Sequence, residues 1–236
     1  MHAYSPRTCL GMSALGMVLA LMALPGLATN VWRIDFSGAK LDAPPRGWAM
    51  KGTRLGVPDT LFRVVDSDGE RVLRMTAVKG CGGLLREIKG VNLARTPVMR
   101  WRWRVRQFPP GGDGRIPDKA DQPLHLYVIS GSLLAQRCVS YTWETDTPRG
   151  ASEHFSLYMG AFEDRWWCLR NKQDGTNVWI TEARNVAADF THQYGKVPES
   201  VALMIFCKAD MTRTRAEAEL AWIEFAEAPP QTEERE

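Results

Sequence analysis

The chain has 236 residues, 24% of them charged, and a net charge of +3. That length suits one large β-sandwich, and so small a charge, with no basic run of five residues, argues against a general nucleic-acid binder. Aromatic residues make up 9% and include nine tryptophans, enough for a broad core or for a platform that stacks on sugar rings.

The chain opens with "MHAYSPR", one base and no acid, followed by the apolar "CLGMSALGMVLALMALPGLA". Small residues at Gly26 and Ala28 have the spacing a signal peptidase reads, so residues 1–28 are predicted to be a signal peptide cleaved after Ala28. The alternative is a retained anchor, but Pro25 and Gly26 make the apolar run marginal as a span. No membrane span is expected after cleavage, and the expected location is periplasmic or secreted. Removing residues 1–28 takes away one base, Arg7, and no acid, so the charge of +3 becomes +2. Cys81, Cys138, Cys168 and Cys207 remain. An even number in an exported chain predicts one or two disulfides, with the pairing open; the alternative is buried free thiols.

Period-two alternation then dominates. Strands are predicted at 31–36, 61–65, 71–78, 83–89, 98–106, 124–130, 138–144, 154–160, 165–170, 178–186, 200–209 and 219–225, with Gly, Pro, Asp and Asn clusters between them. "DSDGE" between the second and third reads as a hairpin turn. Only "VAADFTHQYG" (186–195) looks helical. The prediction is one all-β domain over 30–227, a jelly-roll sandwich of ten to twelve antiparallel strands with one short helix. Residues 228–236 read as a disordered acidic tail.

"MRWRWRV", "FPPGGDGRIPDKADQPLHLYVIS", "YTWE", "VWITEARNVAADFTHQYGKVP" and "ALMIFCKADMT", in that order, resemble the secreted bacterial family catalogued as domain of unknown function 3047. The most specific element is Trp179, Glu182, Arg184, Asn185, Val186, Asp189 and Phe190. The resemblance implies a jelly-roll sandwich of exported proteins and carries no catalytic assignment. On a late strand, where the family tends to carry an acidic pair, this chain has Lys208 at the first position and Asp210 at the second. That substitution weakens any cation site the pair could form.

The row "RWRWRVR" (100–106) places Arg100, Arg102, Arg104 and Arg106 on one face of a strand and Trp101, Trp103 and Val105 on the other. Such a row spans about 20 Å and matches an anionic glycan through guanidinium forks. The alternative is a wet sheet face whose arginines pair with cross-strand carboxylates such as Glu87, Glu144, Glu182 or Glu224. With Arg184, Trp179, Glu182 and Asn185, the first three arginines of the row form the candidate ligand site.

Asp113, Asp118 and Asp121 on the Gly-rich loop are candidate calcium ligands, without an EF-hand register; otherwise no cofactor is expected. Glu144 and Asp146 in "WETDTPRG" match the first two positions of the E-x-D-x-x-E of retaining jelly-roll glucanases, but Arg149 stands in the third. In "RWWCLR" the adjacent Trp166 and Trp167 are predicted to point to opposite faces. The leading functional expectation is a non-catalytic module that binds a glycan, with an anionic one among the candidates. A glycan-cleaving enzyme using Glu144 and Asp146, or an envelope protein that docks another component, are the alternatives.

Overall fold

A computed structural model describes residues 31–132 and 134–228. The predicted signal peptide and nearly all of the predicted acidic tail lie outside the described residues. Thirteen strands are present among the described residues: β1 (Trp32–Asp35), β2 (Ala49–Lys51), β3 (Leu61–Ser67), β4 (Glu70–Val78), β5 (Cys81–Glu87), β6 (Val98–Gln107) and β7 (Leu124–Ser132). They continue with β8 (Ala135–Trp143), β9 (Ser152–Leu157), β10 (Phe162–Arg170), β11 (Ile180–Asn185), β12 (Ala202–Lys208) and β13 (Arg215–Ala226).

The first sheet runs β11-β6-β13-β4-β3, with β1 beside the second half of β13. The second runs β2-β5-β12-β7-β8-β10-β9. The chain changes sheet at β1–β2, β2–β3, β4–β5, β5–β6, β6–β7, β10–β11, β11–β12 and β12–β13. This repeated crossing is jelly-roll connectivity. One pairing departs from the all-antiparallel expectation. β9 lies at the sheet edge, so β10 returns between it and β8 and runs parallel to β8. β2 is a three-residue strand, too short for its alternation to be read.

Alternation supplies the core. Trp101 and Trp103 from β6 are fully buried against Tyr141 and Trp143 from β8, with ring centroids 5.2 and 5.6 Å apart. The β3–β4 turn has Asp68 at φ 58° and Gly69 at φ 80°. Both central residues at positive φ are what a two-residue turn matched to the strand twist requires. Helix α1 (Val186–Tyr194) starts where the Asn185 side chain accepts a hydrogen bond from Ala188 N at 2.9 Å and stops at Gly195, φ 74°. Both are ordinary capping devices.

The predicted disulfides are absent: Cys81, Cys138, Cys168 and Cys207 are all buried free thiols. Register explains it. Cys138 opposes Asp164, and Cys168 opposes Thr142, so these two lie four residues apart along paired strands. That is about 13 Å, beyond the Cα separation of about 7 Å that a bridge tolerates. Cys207 faces the core, while Cys81 opposes Lys208 and faces the other way. Unfolded without reductant, the chain should yield a free thiol for each of the four in a thiol titration, and reductant should leave its melting temperature unchanged. A shortfall of two thiols in that titration would contradict this arrangement.

Candidate functional site

The arginine row lies on the outer face of the first sheet, and each guanidinium has a carboxylate of the protein near it. Arg100 donates to Glu224 at 3.0 Å and Arg102 to Glu70 at 2.9 Å. Arg104 donates to Glu219 at 2.5 Å, Asp68 at 2.8 Å and Ser67 at 2.6 Å. Arg106 comes within 4.0 Å of Glu219. Trp179 covers the middle of the row, with the Arg102 and Arg104 guanidiniums 4.8 and 4.4 Å from its ring centroid. Three of the four guanidiniums are thus hydrogen-bonded to carboxylates of the protein, and Arg106 only approaches Glu219, which Arg74 and Arg104 share.

The other predicted ligand contacts also have partners. β11 is an edge strand, and Glu182 and Arg184 share its inward face with Ile180. Glu182 accepts from Arg170 of β10 at 2.6 Å and so straps the two sheets together. Arg184 lies 5.5 and 5.3 Å from the Tyr141 and Trp167 ring centroids and donates to Asp189 at 2.6 Å. Asn185 caps α1. The most specific sequence element of the resemblance is thus a closure of the open side of the sandwich.

The predicted calcium ligands turn to different partners. Asp113 takes two bonds from Arg115, at 2.9 and 2.6 Å, and is held well below the usual carboxylate range, at about 2, chiefly by that guanidinium. Asp121 accepts from Thr212 N at 2.6 Å and Thr212 Oγ1 at 2.7 Å, which ties the loop to the β12–β13 turn. Asp118 is exposed on a short 3-10 turn, Pro117–Lys119. Among the described residues, no three His, Cys, Asp or Glu side chains come together as a metal site. Asp146 is likewise apart from Glu144: it is exposed and paired with Lys172 at 2.6 Å.

The loop anchored in this way walls a cleft of about 490 Å³ over the outer face of the second sheet. Outward positions of five strands form the floor and flanks: His125 and Tyr127 of β7, Thr142 of β8, Phe155 of β9, Trp166 of β10, and Phe206 of β12. Trp166 and Trp167 divide as predicted, Trp166 to the cleft and Trp167 onto the core beside Tyr141. A Cβ at Gly83 would lie 2.6 Å from the Phe206 ring, so glycine there lets that ring lie against β5. A larger depression of about 980 Å³ sits on Leu85, Ile129 and Ala202 of the same sheet. It lacks aromatic side chains, so it offers no stacking surface.

One buried acid lines the cleft, and a second lies behind it, linked to the lining residue His125 through Ser140. Glu144, just past β8, is fully buried, and burial raises it to about 7. Its Oε2 receives Gly114 N at 3.2 Å and contacts Thr147 Oγ1 at 3.0 Å, while Oε1 has no partner. A Cβ on Gly114 would stand 3.0 Å from Oε1, so glycine allows the loop backbone to close over the acid. Asp164 is also fully buried and raised by burial to about 8. Its Oδ2 contacts Ser140 Oγ at 2.8 Å, and Ser140 Oγ contacts His125 Nε2 at 2.8 Å. Burial lowers His125 to about 3, so its ring is neutral over the ordinary range.

The alternation shown by His125, Tyr127, Trp166 and Phe206 marks these residues as strand, but does not join them into one site. Their convergence depends on the order of strands in the sheet.

No curated protein matches the chain. Among solved structures, it is similar to the family 11 carbohydrate-binding module of the cellulosomal cellulase Lic26A-Cel5E of Clostridium thermocellum. The identity is 8% and the TM-score 0.46, over 86% of this chain and 97% of that one. It is also similar to the xylan-binding module CBM15, at 11% identity and TM-score 0.41, over 85% and 97% of the two chains. For the CBM22-1 xylan-binding domain from Paenibacillus barcinonensis Xyn10C the identity is 13% and the TM-score 0.40, over 86% and 98%. The family model described as "Protein of unknown function (DUF3047)" matches residues 46–224, and the chain belongs to that family.

Proposed function

We propose that the chain is an exported glycan-binding module whose ligand lies in the cleft over the second sheet. One observation carries this reading: aromatic faces, hydroxyls and an unpartnered buried carboxyl oxygen line the same cleft. Tyr127, Phe155 and Phe206 offer apolar surface to the C–H faces of sugar rings. Thr142, Gln122 and Glu144 offer hydrogen-bonding groups to ring hydroxyls. Apolar surface with a few placed polar groups is the usual composition of a small-molecule site. The arginine row, with three of its four guanidiniums bonded to the protein's own carboxylates, is the scaffold's outer face in this reading.

A second reading, cleavage, has one feature in its favour. Glu144 is a carboxyl held near neutrality in a cleft, as a general acid requires. Hydrolysis also needs a second carboxyl across the sugar bond, and Asp146 is committed to Lys172.

A glycan array followed by calorimetry tests the proposal. A bound glycan should be recovered intact, with no reducing ends released. Tyr127→Ala should weaken binding about tenfold or more, the cost of losing a central aromatic contact. Release of shortened product that stops in Glu144→Gln would favour cleavage instead.

A further inference from the structure

Beyond glycan binding in general, and resting on it, proton accounting at Glu144 and charge accounting around the cleft specify the ligand class. Thr147 Oγ1 lies 3.1 Å from Asp113 Oδ1 and 3.0 Å from Glu144 Oε2. A hydroxyl has one proton to give. Asp113 is ionised beneath Arg115 and takes the Thr147 proton. The Glu144–Thr147 contact then needs a proton of its own, which only a neutral Glu144 supplies. Oε2 becomes the donor, and Oε1 is left as a bare carbonyl oxygen with no partner. It can be satisfied only by a group that donates.

The charges around the cleft cancel. Arg115 is engaged by Asp113 and Arg54 by Asp210, each at 2.6 Å, and Lys208 lies 4.0 Å from Asp210. Glu153, which lines the cleft, adds a third anion against these three cations. His125 is neutral and bonded through Nε2 to Ser140. An anionic group entering here would meet Arg54 and Arg115 already bonded to carboxylates and Lys208 close to one, and it would bring acceptors alone to an oxygen that requires a donor. Its desolvation would be compensated only in part. A sugar hydroxyl both donates and accepts, and it carries no charge into the cleft.

We infer that the cleft selects an uncharged, hydroxyl-rich glycan and excludes polyuronates, with Glu144 Oε1 accepting a hydrogen bond from a ring hydroxyl of the ligand.

The full chain should be titrated calorimetrically with xylan, mixed-linked β-glucan and galactomannan, and with polygalacturonate and alginate, at about 20 and about 200 mM salt. At least one neutral glycan is expected to bind with an affinity that changes less than about twofold between the two salts, because no net charge is paired. Both polyuronates should bind at least about tenfold more weakly. Polyuronate binding as tight as any neutral glycan, weakening with salt, would overturn the inference while leaving glycan binding intact. No binding by any of the five would overturn the glycan reading itself, and this inference with it. Glu144→Gln keeps a carbonyl acceptor and should bind the neutral glycan within about threefold of the parent, whereas Glu144→Leu should lose about tenfold or more. Equal binding by a folded Glu144→Leu variant would remove Glu144 from the site. If that variant does not fold, the wild-type panel still decides the ligand class.

Discussion

Glu219→Ala is expected to destabilise the fold by about 3–5 kcal/mol, the cost of leaving a buried charge without its partner. Glu219 is fully buried on β13 and accepts from Arg104 at 2.5 Å and from Arg74 at 2.5 Å. The Arg104 side chain is only 4% exposed, so water cannot replace the lost carboxylate. Asp68, its remaining acidic partner, is 69% exposed and weakly held. Arg102→Ala should cost about 1 kcal/mol or less, because the Arg102–Glu70 pair is solvated, at 34% and 40% exposure. Replacing Arg104 and Glu219 together by apolar residues of similar volume should recover most of the loss, since a buried pair is often no better than an apolar contact. Urea denaturation of the three variants measures all of this. Equal costs for Glu219→Ala and Arg102→Ala would mean that the row is uniformly solvated, and the case for a free ligand-facing ladder would reopen.

The same arginines show where sequence reading stops. Alternation in "RWRWRVR" assigns the tryptophans inward and the arginines outward, and the structure agrees residue by residue. It cannot name the partners. Glu219 and Glu224 lie 115 and 124 residues from Arg104 and Arg100. They meet because β13 lies beside β6, a pairing that depends on the whole topology. Glu224 was one of several carboxylates the pattern allowed; Glu219 and Glu70 were not among them. The cysteines fail for a related reason. Compartment and even number predict pairing, but strand register decides which Cβ atoms can meet, and none can.

The cleft was hardest to read. Its residues look like ordinary outward positions of five strands, and their meeting depends on β10 inserting between β8 and β9. The Gly-rich loop stood out in the sequence for its aspartates; in the structure Asp113 and Asp121 help to hold it in place, and Asp118 is exposed. Glu144 was singled out for its neighbour Asp146. The structure keeps Glu144 in the cleft and sends Asp146 to the surface. What distinguishes Glu144 is the backbone of Gly114 closing over it, a contact between positions 30 apart.

A second large effect concerns acidity. Asp164 and Glu144 have folded-state values near 8 and 7 against 3.8 and 4.5 for the unaltered groups. The folded chain therefore binds more protons than the unfolded chain wherever the pH lies between those limits. Stability must rise as the pH falls through 8 and 7 and must be lost as it climbs back. His125 works the other way. Its value falls from 6.5 to about 3, so below pH 6.5 the unfolded chain takes up a proton that the folded chain refuses. Between pH 8 and 5 two groups favour the acid side and one opposes them over part of the range. The net gain on acidification is on the order of 4 kcal/mol. Asp113, already ionised down to about 2, contributes nothing in this window. Asp164→Asn removes the largest member of the set, so it should flatten the profile by more than half. Chemical denaturation at half-unit pH steps measures the slope directly. A wild-type profile that is level, or that rises toward pH 8, would show that both acids ionise in the folded state. Glu144 would then offer the cleft a charge rather than a carbonyl oxygen.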